Sequence, residues 1–96
     1  MVVLTDQNFD DIVYSSKDIW LIELYAPWCG HCKALEPEWN QAASKLKGQV
    51  KFGKVDATEH KQLAQRFGVT GFPTIKYFNH GLPKSDSTSK PYEGPR

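Results

Sequence analysis

Ninety-six residues, 40% hydrophobic and 24% charged, with 12 Lys and Arg against 11 Asp and Glu, describe one compact domain rather than two. A net charge of +1 without long single-sign blocks lacks the electrostatic footprint of a nucleic-acid or anionic-membrane binder. No apolar run approaches the roughly 18 residues of a membrane span, and no basic-then-apolar leader opens the chain.

In chain order, residues 1–4 form a short apolar run that reads as a strand, and Thr5, Asp6, Gln7 and Asn8 supply caps for a helix through about Tyr14. Residues 19–26 are nearly continuous in apolar and β-favouring side chains, the pattern of a central strand covered on both faces, and Pro27 ends it. From 29 to 47, Leu35, Trp39, Ala42, Ala43 and Leu46 recur at helical spacing, with Gly48 as the stop and Pro37 as an expected kink. Residues 50–57 read as a strand, 59–67 as a short helix and 74–78 as another strand. Asn79-His80-Gly81 reads as a turn, 82–91 as a polar loop, and a last strand is expected near Tyr92. The alternation predicts an α/β fold, a mixed sheet flanked by helices with parallel strands joined by crossovers and an antiparallel edge.

The two cysteines, Cys29 and Cys32, fall just past the end of the central strand, where reactive groups collect in such sheets. Cys-Gly-His-Cys can bridge, bind metal or pack inertly. Zinc needs about four ligands, and beyond His31, trapped between the cysteines, there remain only the isolated His60 and His80. Placed at a helix start, Cys29 would face unpaired backbone N–H groups and the positive end of the helix dipole, which favour its thiolate, with His31 beside it. Helical Cβ atoms three residues apart stand about 5 to 6 Å from each other, wider than the roughly 3.5 to 4.5 Å of a relaxed disulfide. The spacing suits a bond that is made and broken: Cys29, nearer the loop, is expected to be exposed and to attack, and Cys32 to resolve.

The segment Tyr25-Ala26-Pro27-Trp28-Cys29-Gly30-His31-Cys32-Lys33 resembles the active site of the protein disulfide-isomerase family, on a thioredoxin-like fold. The resemblance extends to Gly71-Phe72-Pro73-Thr74, similar to the family's cis-proline loop, to Lys54-Val55-Asp56, and to Tyr92-Glu93-Gly94-Pro95-Arg96. It implies a thiol-disulfide oxidoreductase that forms, reduces and rearranges disulfides in unfolded or misfolded secretory proteins. Glutathione or an oxidase would be its redox partner, and no cofactor or metal is required. The endoplasmic reticulum lumen is the implied location. Gly30 and His31 between the cysteines resemble oxidising and isomerising members rather than reducing thioredoxins.

The resemblance also implies roles. Pro73 would follow a cis bond, leaving the Phe72 backbone free to pair with an extended client, and Trp28 and Phe72 would form an apolar rim; ordinary core packing is the alternative for both. Glu23, an acid in an apolar strand, either points to solvent or lies buried beneath Cys32 and relays its proton, with Lys54 as partner. Arg96 resembles the family arginine that approaches the resolving cysteine; otherwise it is a frayed terminal residue. The chain stops where the family begins its last helix, so the resemblance implies one catalytic domain, 1–96, without that C-terminal helix, a fragment of a larger multi-domain protein. Two alternatives remain: a thioredoxin-like reductase with the same residue roles, and a redox-independent chaperone or binding module using Trp28 and Phe72.

Overall fold

The computed structural model describes residues 2–79 and the backbone of Lys90–Pro91. The strands β1 (Val2–Leu4), β2 (Ile19–Tyr25), β3 (Val50–Asp56), β4 (Thr74–Phe78) and β5 (Lys90–Pro91) form one sheet in the order β1-β3-β2-β4-β5. β1 and β2 both run parallel to β3, whereas β4 is antiparallel to β2 and β5 to β4. The mixed sheet matches the expected plan, and β2, hydrogen-bonded on both sides, is its centre. The helices are α1 (Gly30–Lys45) and α2 (Lys61–Arg66), and Asp10–Tyr14 forms a π-helical turn. Among the described residues no helix is long and apolar enough to cross a membrane.

The first helix departs from its expectation. The Thr5–Asn8 turn leading into it carries a reciprocal pairing, with Thr5 Oγ1 accepting the Asn8 N–H at 3.1 Å and Asn8 Oδ1 accepting the Thr5 N–H at 2.7 Å, but the helical turn itself starts at Phe9 without a side-chain cap. From Asp10 the chain winds into a wide π turn rather than a regular α-helix. Packing decides this segment: Phe9 and Val13 are fully buried, and Tyr14 meets the Phe9 ring edge-on at 5.4 Å. α2 is shorter than expected because the Asp56 carbonyl takes the N–H groups of Glu59 and His60 in a separate turn. Pro37 lies inside α1. Lys90–Pro91, expected to end a polar loop, instead pair with β4 as β5, while residues 80–89 and Tyr92, where the rest of the turn, the loop and a last strand are expected, lie outside the described residues.

The period-two alternation of the strands sorts the core into two layers. On one face Leu4, Trp20, Ile22, Leu24, Val55 and Phe78 pack against Phe9 and Val13 and against Leu63 and Phe67. On the other, Phe52 and Ile75 meet Leu35 and Trp39 of α1. Glu23 belongs to the second face, in register with Lys54 on β3 and Ile75 on β4.

Gly53 marks the closest approach between strand backbone and the first layer. A Cβ there would stand 2.6 Å from Leu4 Cδ1 and 3.4 Å from Trp20 Cζ3, both on buried side chains. Gly53→Ala is therefore expected to destabilise the fold by roughly 1 to 3 kcal/mol, the usual cost of overpacking a filled core. A lowered urea midpoint with unchanged slope would show it, and an unchanged midpoint would mean that Leu4 has room to move.

Candidate active site

β2 delivers the chain to the reactive turn. Ala26 closes the strand, and its carbonyl accepts the Cys29 N–H at 3.0 Å, fixing the cysteine as the N-cap of α1. Cys29 has extended backbone angles, φ −79° and ψ 117°, and its Sγ accepts the Cys32 N–H at 3.1 Å. The sulfur thus occupies the place normally taken by a Ser, Thr or Asp oxygen at a helix start. That hydrogen bond and the helix dipole both strengthen when the sulfur carries negative charge. The two cysteines are unbridged.

Contrary to expectation, Cys29 is not the exposed member of the pair: it is 7% accessible and Cys32 5%. Both pack with Ala26 in a small apolar cluster, and Phe72 and Tyr25 cover it. What separates the thiols is electrostatic. Burial, reinforced by a hydrogen bond with Cys29 and by the neighbouring Cys29 and Glu23 charges, pushes the Cys32 thiol up to about 11.

Behind Cys32 lies a cavity of about 60 Å³ lined by Glu23, Lys54, Glu36, Trp39 and Asn40 among others. Glu23 is 4% accessible, so the solvent-facing alternative does not hold. Burial, then the charge of Glu36, raises its carboxyl to about 7, against the opposing pull of Lys54. Its Oε2 has no hydrogen-bond partner among the described residues. Lys54 does not form the expected close pair: no ion pair links it to Glu23, and its Nζ stands 6.0 Å from the centre of the Tyr25 ring. The strand register brings the two backbones side by side, but Lys54 acts on Glu23 through its field.

On the other side of the cysteines, His31, Ala34, Leu35, Glu38, Phe72 and Pro73 line an open groove of about 470 Å³. Trp28 is 70% exposed, so core packing does not account for it, and it meets Phe72 edge-on at 5.6 Å. Phe72 is half-buried, and the Phe72–Pro73 peptide is cis. Gly30 and His31 are exposed in the first turn of α1. Arg96 lies outside the described residues. Among the described residues no group of three or more His, Cys, Asp or Glu side chains comes together as a metal site.

Glu36 and Trp39 are site residues that the sequence alone does not single out. A signal is available, since they come four and seven residues after Cys32, positions that share one helix side. The helical stripe marks Trp39 only as core, yet its Nε1 is buried without a hydrogen-bond partner among the described residues and the residue lines the cavity.

A family model described as Thioredoxin matches residues 1–95. Over its 96 residues the chain is 57% identical to a protein disulfide-isomerase A6 homolog of Caenorhabditis elegans, and it covers 21% of that protein; the chain thus spans about a fifth of the curated relatives it matches. The structure superposes on the crystal structure of the Trx4 domain of ERdj5 with a TM-score of 0.83 at 30% identity, covering 97% of this chain and 82% of that one. It also superposes on the solution structure of the first thioredoxin domain of mouse protein disulfide-isomerase A4, with a TM-score of 0.80 at 43% identity, covering 98% of this chain and 64% of that one.

Proposed function

Because the chain belongs to the thioredoxin family, and its Cys29 sulfur caps a helix beside a buried second thiol, we propose that it is a thiol-disulfide oxidoreductase acting as a protein disulfide isomerase. The observation that carries this reading is the unequal pair: one sulfur accepts a backbone N–H at 3.1 Å, and the other is held protonated by burial at about 11.

Cys29 attacks a client disulfide. A bond forms between its sulfur and one client sulfur, and the other client sulfur leaves as a thiolate. Cys32 then passes its proton to ionised Glu23 and attacks the Cys29 sulfur. The Cys29–Cys32 bond forms, the Cys29–client bond breaks, and the departing client thiolate takes up a proton. The client disulfide is reduced and the dithiol oxidised; the reverse sequence oxidises a client dithiol. If a client thiol displaces Cys29 before Cys32 acts, the client disulfide is rearranged with no net redox change.

The groove with Trp28, Phe72 and Pro73 receives an extended client segment beside Cys29. Clients are unfolded or misfolded cysteine-containing proteins, glutathione or an oxidase resets the pair, and the endoplasmic reticulum lumen is the site of action, as the resemblance of the Cys29–Cys32 segment to the protein disulfide-isomerase family implies; the similar proteins bear the name protein disulfide-isomerase. Residues 1–96 act as one catalytic domain, and Arg96 serves the resolving cysteine.

Equilibrating the Cys29–Cys32 pair with a glutathione redox buffer tests the isomerase reading against a reductase. Isomerases stand near about −180 mV and thioredoxins near about −270 mV, values belonging to those families rather than to this chain, and the gap is about a thousandfold in equilibrium constant. A potential near the isomerase value is expected, and one near the thioredoxin value would make the chain a reductase. Suppression of client aggregation that survives replacement of both cysteines by Ala, with no disulfide exchange in the intact chain, would instead favour a redox-independent chaperone or binding module.

A further inference from the structure

Glu36 has no part in the dithiol exchange just described, and among the described residues no ion pair engages it. It lies four residues beyond Cys32 on α1, which brings both to one side of the helix, and it stands exposed at the edge of the cavity that Glu23 and Cys32 line. Tyr25 of β2, Lys54 of β3 and Lys33 of α1 complete the titratable wall, and β4 places apolar Ile75 opposite Glu23. Two carboxylates and two ammonium groups therefore face one recess of about 60 Å³. With Glu23 Oε2 unbonded among the described residues, the surrounding charges decide where the recess keeps its proton.

We propose that Glu36 is a positioning residue for the resolving step, a second carboxylate whose charge at the cavity edge makes Glu23 the stronger base toward Cys32. The inference rests on the relay described above. The step it tunes is one proton transfer: the Cys32 S–H bond breaks, the proton joins a Glu23 carboxylate oxygen, and the thiolate left behind attacks the Cys29 sulfur. The effect of Glu36 on Glu23 is second only to burial. Because Glu36 is exposed, it is open to screening by salt.

A base made weaker is ionised at lower pH but accepts a proton less readily, so removing Glu36 has opposite consequences on the two sides of neutrality. The test is the rate at which Cys32 expels glutathione from a Cys29–glutathione mixed disulfide on the 96-residue chain, monitored by stopped flow from about pH 5 to about pH 9. Glu36→Gln is expected to cross the wild-type curve near the Glu23 value of about 7. It should be faster below the crossing and slower above, roughly two- to threefold each way for a proton-transfer dependence of about one half. Glu36→Lys should widen both differences. High salt should move wild type toward Glu36→Gln and leave Glu36→Gln nearly unchanged. Glu36→Gln added to Glu23→Gln should have no effect of its own.

Curves for wild type and Glu36→Gln that superimpose, or that differ by a constant factor at all pH values, would overturn the inference while leaving the relay intact, provided Glu23→Gln removes the acid limb. A Glu23→Gln variant that keeps the wild-type acid limb would instead remove the relay, and the inference with it.

Discussion

Cys32→Ser is expected to accumulate a mixed disulfide on Cys29 when mixed with a client or with glutathione disulfide, whereas Cys29→Ser should form adducts roughly a hundredfold more slowly. The difference originates in the scarcity of Cys32 thiolate. With its thiol at about 11, Cys32 is ionised at pH 7 in only about one molecule in ten thousand. Replacing Cys29 by Ser removes one of the causes that raise Cys32, the Cys29 charge, while the hydroxyl can still hydrogen-bond, and so recovers only a little thiolate. The largest cause, burial, stays. Intact-mass spectrometry of both variants after quenching with acid measures the yields directly. Comparable yields would mean that Cys32 attacks as readily as Cys29, and the division into nucleophile and resolving thiol would fall.

The order of elements is legible in the sequence because its signals are local. The apolar run of β2, the helical stripe of α1 and the glycines that end the helices act within one or two turns of chain. The position of Cys29 is legible for the same reason, since Pro27 ends a strand and the cysteine then caps the helix. Other features are not, and each depends on groups far apart in sequence. The π turn at Asp10–Tyr14 reflects the packing of Phe9 and Tyr14 against Phe78, with Phe67 against Phe9, which no local pattern encodes. The burial of Cys29 depends on Phe72, delivered by another part of the chain. The pairing of Glu23 with Lys54 is legible from neighbouring strands, but register fixes backbones and not ammonium groups. Lys54 carries its charge along the Tyr25 ring instead. Glu36 is hidden by its surroundings: an exposed glutamate on a charged helix face looks like many others until the cavity beside it is seen.

Glu23→Gln is expected to make the protein more stable at about pH 8 while slowing the resolving step, two effects of opposite sign from one proton. In the folded chain the Glu23 carboxyl holds its proton up to about 7, against 4.5 for an ordinary glutamate. Between those values the folded state keeps a proton that the unfolded chain has released. The group's stabilising contribution is therefore complete below about 4.5 and is lost as pH rises through about 7. At about 1.4 kcal/mol per pH unit, the whole change is as much as about 3 kcal/mol, and Lys54 already offsets part of the burial cost within it. Glutamine has nearly the same volume and no charge to desolvate, so its urea midpoint should stay almost level from about pH 4 to about pH 8 while the wild-type midpoint falls. A carboxylate that merely held the cavity together would behave otherwise, since its loss would lower stability at every pH. A difference between the two proteins that does not change with pH would show that the Glu23 carboxyl binds its proton equally well in the folded and unfolded chains, and burial would then not be strengthening the base of the relay. Stability gained above neutrality together with slower release of client from Cys29 would instead mean that the fold tolerates an unfavourable buried charge at the position where the resolving thiol needs a proton acceptor.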